Sequence, residues 1–336
     1  MKLKELGEFG FIDRIKVDAL VRLYQGLVGI GDDCALFKVS PGMTALLTTD
    51  MLVERVHFLR EAMTPYQIGY KSLAVNLSDI AASGGIPKEA FVSIAVPESV
   101  SVEDLEQIYE GMKELGRKFD VNITGGDTTG SFQDLVINIA LTGEIEEGLA
   151  LFRSGAREDD LICVTGCLGD SAAGLDLILN HIDQKENFPE LIKQHFMPFP
   201  HIEQGRLIAK SKLAHAMMDI SDGLASDIRH ICRASGLGAK IHETRLPLSD
   251  GFREYTSKFK PDYLKTAIGV GEDYNLLLTV AEADFPVLKT LLNEEGYHLF
   301  HVGEMTKDRW IMLEDEKKHG KPLQIGGWDH FKEKNL

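Results

Sequence analysis

YQIGYKSLAVNLSDIAASGGIPKEAFVSIAVPESVSVEDLEQIYEGMKELGRKF, residues 66–119, changes period twice. Residues 66–83 place apolar side chains at helical spacing, residues 89–97 form an apolar run suited to a strand, and residues 101–119 return to helical spacing. Ser101 opens this second helix, with Glu103, Asp104 and Glu106 in its early turns, near the positive helix end. The alternation continues outward. Strand-like runs occupy 44–49, 134–145, 160–166, 215–220 and 274–280, and helical patterns occupy 170–182 and 285–296. Alternation along the whole chain predicts a mixed α/β fold of two or more layers. The 336 residues, 44% of them hydrophobic, suffice for two cores. The polar stretch EIEEGLALFRSGAREDD places a boundary near residue 150, giving domains 1–150 and 151–336.

Lysine and arginine number 36 against 52 aspartates and glutamates, a formal charge of −16. That balance excludes nucleic acid as the main partner, because phosphate backbones are bound by basic patches. It leaves open phosphate binding through metal ions held by carboxylates. Cys34, Cys163, Cys167 and Cys232 form no CxxC pair and have no histidines at zinc-finger spacing, so they read as reduced, mostly buried thiols. The first residues, MKLKELGEFGFIDRI, lack the apolar core of a signal peptide, and no run approaches the ~18 apolar residues of a membrane span. The expected location is the cytoplasm, away from membranes.

The carboxylates are unusually placed. GIGDDCA (Asp32, Asp33), LTTD (Asp50), NLSDIAASGG (Asp79), TGGDTTG (Asp127), MDISDG (Asp219, Asp222) and GVGEDYN (Glu272, Asp273) follow apolar runs or sit among very small residues. Any one of these is ordinarily a turn. The set together suggests carboxylates gathered where cations neutralise them, and magnesium suits such oxygen ligands and the phosphates they accompany. Asp79 stands out because Ala74, Asn76, Ser78, Ala81, Ala82, Ser83, Gly84 and Gly85 shave its helix of bulk; tight helix packing is the alternative. Gly84-Gly85, Gly125-Gly126 and the Gly166, Gly169, Asp170 segment are candidates for offering backbone amides to phosphate. GxxxxGK[ST], a nucleotide-binding GxGxxG and the HRD and DFG pair are all missing, which excludes the P-loop and protein-kinase routes. Arg153, with Arg157 as substitute, suits a triphosphate, and His57 an acceptor phosphate.

Taken in order, KLKELGEFGFIDRI, GIGDDCA, TTDMLVERVHF, YKSLAVNLSDIAASGG, TGGDTT, RSGAR, VTGCLGDSAAGL, MDISDGLASD, GVGEDYNLLLTV and the terminal GWDHF resemble the thiamine-monophosphate kinases. That family sits in the superfamily of aminoimidazole ribonucleotide synthetase and selenophosphate synthetase, and the resemblance spans almost the entire chain. It implies the two-domain α/β fold of that superfamily. The N-terminal domain would bind ATP and metal and form a homodimer through its sheet, and the C-terminal domain would complete the ATP and thiamine phosphate site. It implies the reaction of ATP with thiamine monophosphate to give ADP and thiamine diphosphate; because phosphoryl transfer asks little covalent chemistry of the protein, direct transfer with no covalent or general-base residue is expected. By the same resemblance, Asp33, Thr49, Asp50, Asp79, Asp127, Asp219 and Asp222 would hold several magnesium ions. Tyr109, Gly126, Arg153 and Ser221 would contact ATP. His57 would meet the substrate phosphate, and Glu272 and Trp328 the thiamine moiety, Trp328 by stacking on a cationic ring. The family often has GGED where this chain has Gly269-Val270-Gly271-Glu272-Asp273, so Gly271 alone is expected to set the turn.

Two other readings differ in class. A superfamily enzyme acting on an amide, formyl or selenide substrate is disfavoured by the absence of a cysteine- or lysine-bearing N-terminal segment and of a cysteine tail after HFKEKNL. A non-catalytic acidic protein that binds calcium or nucleotide is disfavoured by the absence of EF-hand spacing.

Overall fold

The computed structural model describes residues 1–326 apart from positions 2, 7, 26, 31–33 and 36, and leaves the side chains of residues 3, 4, 8 and 9 undescribed. The expected Asp32, Asp33 and Trp328 sites therefore lie outside the described residues. The chain divides into two compact units: Met1–Ile80 with Gly85–Gly148, and Ala81–Gly84 with Leu149–Leu336. No helix among the described residues is long and apolar enough to cross a membrane.

The first unit runs α1 (Leu3–Leu6), α2 (Glu8–Ile15), β1 (Met43–Val53), α3 (Pro65–Ala82), β2 (Ile86–Pro97), α4 (Val102–Phe119), β3 (Asn122–Ser131) and β4 (Val136–Glu146). Its four strands lie in the order β1-β4-β2-β3, with β2 and β3 parallel and the other pairs antiparallel. The parallel pair needs a crossover, and α4 supplies it. Ser101 caps α4 with a complete capping box, its side chain accepting from the Asp104 N–H while Asp104 reaches back. Along β4 burial alternates: Ile137, Ile139 and Leu141 are at most 1% exposed, between half-buried Val136, Asn138, Ala140 and Thr142. The helices α3 and α4 pack through glycine. A Cβ on Gly69 would lie 1.8 Å from the Ile108 carbonyl oxygen, and one on Gly111 2.0 Å from that of Tyr66. Two buried polar side chains of α3 bond within the helix, Ser72 donating to the Ile68 carbonyl at 2.8 Å and Asn76 to that of Ser72 at 3.1 Å.

The second unit continues with β5 (Leu161–Val164), α5 (Asp170–Asn180), α6 (Pro189–Phe196), α7 (Ile202–Ser211), β6 (Ala214–Asp219), α8 (Leu224–Ser235) and β7 (Gly238–His242). It ends with α9 (Asp250–Phe259), α10 (Tyr263–Gly269), β8 (Leu276–Val280), α11 (Phe285–Glu294), β9 (Phe300–Thr306), β10 (Ile311–Glu314) and β11 (Gly320–Pro322). These strands form one mixed sheet in the order β11-β10-β7-β9-β5-β8-β6. The interior strands β5 and β8, LICV and LLLTV, are buried at every position, which is why they read as unbroken apolar runs.

Two expectations change here. Gly84 and Gly85 offer no free amides: their N–H groups donate to the Ala81 and Ile80 carbonyls at 2.8 Å each and close the end of α3, with Gly84 left-handed at φ +74°. The Gly169 amide at the start of α5 is likewise engaged, because Asp273 occupies that helix end. Its Oδ2 accepts from the Gly169 N–H at 2.9 Å and its Oδ1 from the Ser171 N–H at 3.4 Å. A carboxylate from the chain itself stands where a phosphate was expected.

Candidate active site

In the first unit, Asp79 lies in the last turn of α3 and Asp50 in the middle of β1, rather than at a strand end. The Thr48 hydroxyl donates to Asp79 Oδ2, and the Asp50 N–H donates to Asn76 Oδ1 at 3.1 Å, so the centre of β1 is hung on α3. Burial first, and the neighbouring Asp79 charge second, push the Asp50 carboxyl up to about 7. Thr49 does not share this face. Successive side chains alternate along a strand, and the Thr49 hydroxyl meets Asn138 Oδ1 at 3.2 Å on β4. The side chain beside Asp79 is that of Thr48, whereas Thr49, a magnesium ligand by the resemblance, turns its hydroxyl to Asn138.

Asp127 is exposed on the edge strand β3, opposite Ser93 of β2. Its neighbour Gly126 has φ +153°, and a Cβ there would stand 1.8 Å from the Val92 carbonyl oxygen, so only glycine lets β3 approach β2. His57 follows β1 in a tight turn, and its Nδ1 accepts from the Val53 N–H at 3.0 Å. The neutral ring then carries its proton on Nε2. Tyr109 is a core residue, 3% exposed and edge-on against Phe11 at 5.8 Å between ring centroids. Its burial argues against the ATP contact assigned by resemblance.

In the second unit, β6 ends at Asp219, which is 4% exposed, and the chain turns through Ser221 and Asp222 into α8. Asp227 Oδ2 accepts from the Asp222 N–H at 3.1 Å and so fixes that turn. Asp227 Oδ1 is buried with no hydrogen-bond partner among the described residues. Burial and then the Asp219 and Asp222 charges push the Asp227 carboxyl up to about 8, and the Arg153 guanidinium opposes them. Asp222, Asp227 and His230 bring one ligand atom each within 4.8 Å of one another. Burial and Arg153 hold the His230 imidazole below its usual range. Asp227 and His230 were not singled out in the sequence; their signal is the three-residue spacing in LASDIRH, which sets both on one helix face.

Exposed Arg153 sits on a loop pinned at several points. The Met217 N–H donates to the Phe152 carbonyl at 2.8 Å, the Ala156 N–H to Ser235 Oγ at 3.2 Å, and the Arg157 N–H to Asp160 Oδ2 at 2.8 Å. His215 Nδ1 contacts that same Asp160 oxygen at 2.8 Å.

Glu272 lies on the irregular segment between α10 and β8. It adopts φ +67°, and its N–H donates to the Ser221 carbonyl at 2.8 Å. A Cβ on Gly271 would lie 1.9 Å from that carbonyl oxygen, whereas Val270 is ordinary extended chain at φ −119°, ψ 138°. The departure from the family's GGED pattern thus falls at a position any residue can occupy. His195 Nδ1 stands 3.2 Å from Glu272 Oε2.

The donor chemistry suits magnesium. Asp50 with Asp79, and Asp219 with Asp222 and Asp227, are sets of hard oxygen donors, and the orphaned Asp227 oxygen and the mutual repulsion are features a cation relieves. Of the four cysteines, Cys163 and Cys232 are buried, burial pushes the Cys167 thiol up to about 11, and Cys34 is exposed.

Comparison with known proteins places this arrangement. Residues 31–145 match the AIR synthase related protein N-terminal domain, and residues 157–314 the corresponding C-terminal domain. The thiamine-monophosphate kinase of Bacillus subtilis is 39% identical over 91% of this chain and 94% of its own length. That of Aquifex aeolicus is 36% identical over 98% of this chain and its whole length. A solved structure, AaThiL complexed with AMPPCP and TMP, superposes with a TM-score of 0.78 at 36% identity, covering 98% of this chain and 99% of that one. The chain belongs to the thiamine-monophosphate kinase family, within the AIR synthase related proteins.

Proposed function

We propose that this protein transfers the terminal phosphoryl group of ATP to the phosphate of thiamine monophosphate, giving ADP and thiamine diphosphate. The observation that carries the reading is the near-full-length similarity to AaThiL, solved with AMPPCP and TMP, an ATP analogue and the acceptor. The chemistry of the site residues agrees. Phosphoryl transfer asks little covalent work of a protein, and needs two phosphates aligned and their charge neutralised. Asp50, Asp79 and Asp127 in the first unit, and Asp219 and Asp222 in the second, are the proposed magnesium ligands, with Asp227 added to the second set. Magnesium bound there supplies charge neutralisation at the facing phosphate oxygens.

The chain's own residues do the rest. Arg153 presents a guanidinium fork to the triphosphate from a loop that is already fixed. His57 keeps Nε2–H for the acceptor phosphate because Nδ1 is engaged by the Val53 amide. Ser221 and Gly126 offer further ATP contacts, and Glu272 faces the cationic part of the acceptor. Transfer is direct, without a phosphoenzyme. A homodimer through the outer face of the first unit's sheet is supported by Leu47 and Met51 on β1, 74% and 55% exposed. The proposed location is the cytoplasm.

The test is product analysis after incubating the protein with MgATP and thiamine monophosphate, with EDTA and Asp79→Asn as controls. Equal amounts of thiamine diphosphate and ADP, lost in both controls, support the proposal. ATP turnover without thiamine diphosphate rejects the acceptor, and no turnover rejects the enzyme.

A further inference from the structure

Two consecutive residues of α6 hold the segment that carries Glu272. Gln194 Nε2 donates to the Asp273 carbonyl at 3.0 Å, and His195 Nδ1 lies 3.2 Å from Glu272 Oε2. The same His195 nitrogen is 3.0 Å from Ser171 Oγ, in the first turn of α5. His195 is 5% exposed and Ser171 fully buried, whereas 27% of the Glu272 side chain remains open. The imidazole is therefore a fixed internal post, and the carboxylate is the partly open group tethered to it. The post is itself held by close packing, for a Cβ on Gly174 of α5 would lie 2.2 Å from the Leu191 carbonyl oxygen of α6.

We infer that His195 is a positioning residue for the acceptor, fixing the Glu272 carboxylate toward the cationic ring system of the substrate; this rests on the reading of Glu272 as an acceptor contact. One nitrogen facing two oxygens decides the proton arrangement. With hydrogen on Nδ1, the ring donates to the carboxylate and the Ser171 hydroxyl can turn its own hydrogen away. With Nδ1 bare, Ser171 donates to it, and a lone pair faces the carboxylate. Only the first arrangement attracts Glu272. Glu272 also needs outside support, because its left-handed backbone is unfavourable for a residue with a Cβ. A carboxylate held before the substrate arrives loses less freedom on binding, so the effect falls on acceptor affinity.

The experiment measures KM for thiamine monophosphate, KM for ATP and kcat in His195→Ala, His195→Asn, His195→Gln, Glu272→Ala and the His195→Ala/Glu272→Ala pair. Asparagine puts an amide N–H near the place of Nδ1, and glutamine puts its own near Nε2. His195→Ala is expected to raise acceptor KM roughly five- to tenfold with ATP KM within about twofold. His195→Asn should recover most of the loss and His195→Gln should not. The double variant should be no worse than Glu272→Ala. Unchanged acceptor KM in His195→Ala, an equal rise in ATP KM, glutamine rescuing as well as asparagine, or additive losses in the double variant each overturn the inference. If His195→Ala does not fold, the contrast between asparagine and glutamine decides it. A normal acceptor KM in Glu272→Ala rejects the reading of Glu272 itself, a separate result.

Discussion

Asp50 on β1 and Asp79 on α3 face each other across a strand and helix joined by the Thr48 and Asn76 hydrogen bonds, and the Asp50 carboxyl stands at about 7 against its usual 3.8. The unfolded chain therefore releases this proton near pH 4 and the folded chain only near pH 7. Between those values the folded state binds more protons, so metal-free stability falls as pH rises, and above pH 7 the loss is complete. Denaturant melts of the magnesium-free protein should show this slope, and Asp50→Asn should flatten it by about 2 kcal/mol after allowance for solvent screening. Magnesium should raise the melting temperature more at pH 7.5 than at pH 5.5, because binding competes with the proton.

Gly271→Ala should be far more damaging than Val270→Gly. The added methyl meets the Ser221 carbonyl and must move either Glu272 or the turn carrying Asp222. A loss of about 2–4 kcal/mol in stability and at least about tenfold in kcat/KM is expected, against less than about 1 kcal/mol for Val270→Gly. Thermal melts and steady-state assays of both variants check this.

Ser101→Ala removes the cap of α4, a helix that carries none of the proposed magnesium ligands. It should cost about 1 kcal/mol and lower Tm, with kcat and both KM values unchanged. A kinetic effect would show that α4 matters for more than stability.

Tyr109 and Arg153 were both assigned to ATP by resemblance, and the structure separates them. Tyr109→Phe should leave KM for ATP within about twofold, since the ring lies in the core. Arg153→Ala should raise it roughly tenfold through loss of a charged fork. The ratio of the two effects, measured with varied MgATP, is the informative quantity.

Much of the fold was legible because its strands are apolar where they are buried on both faces, as in β5 and β8. β3 was not legible as a strand. NITGGDTTGS contains one large apolar residue, Ile123, and owes its extended form to parallel pairing with β2 at the sheet edge. The short strands β7, β9 and β11 are interleaved with charged or small residues and escaped for the same reason, and β10, IMLE, is only four residues long. At the site, the carboxylates were visible because aspartate after an apolar run is conspicuous. What their neighbours would be was hidden. The amides of Gly84 and Gly85 bond within their own helix end, Asp273 fills the α5 end from a segment a hundred residues later, and Thr48 takes the face expected of Thr49. The Asp273 contact depends on a partner distant in sequence and the Thr48 placement on strand parity, and neither is written in a local motif; the Gly84 and Gly85 amides are taken by the helix end they themselves close.

The parity of β1 has a consequence for how this family can change over time. Thr48 and Asp50 look toward α3, Thr49 meets Asn138 on the opposite face, and exposed Leu47 and Met51 share the Thr49 parity. β1 is an edge strand joined to β4 only by pairing, with residues 54–135 between them, so no tight turn locks its register. A one-residue slip of β1 against β4 would exchange the two faces, turning the carboxylate outward and an apolar side chain toward Asp79. Sequence change along β1 should therefore keep this alternation even where the individual residues differ.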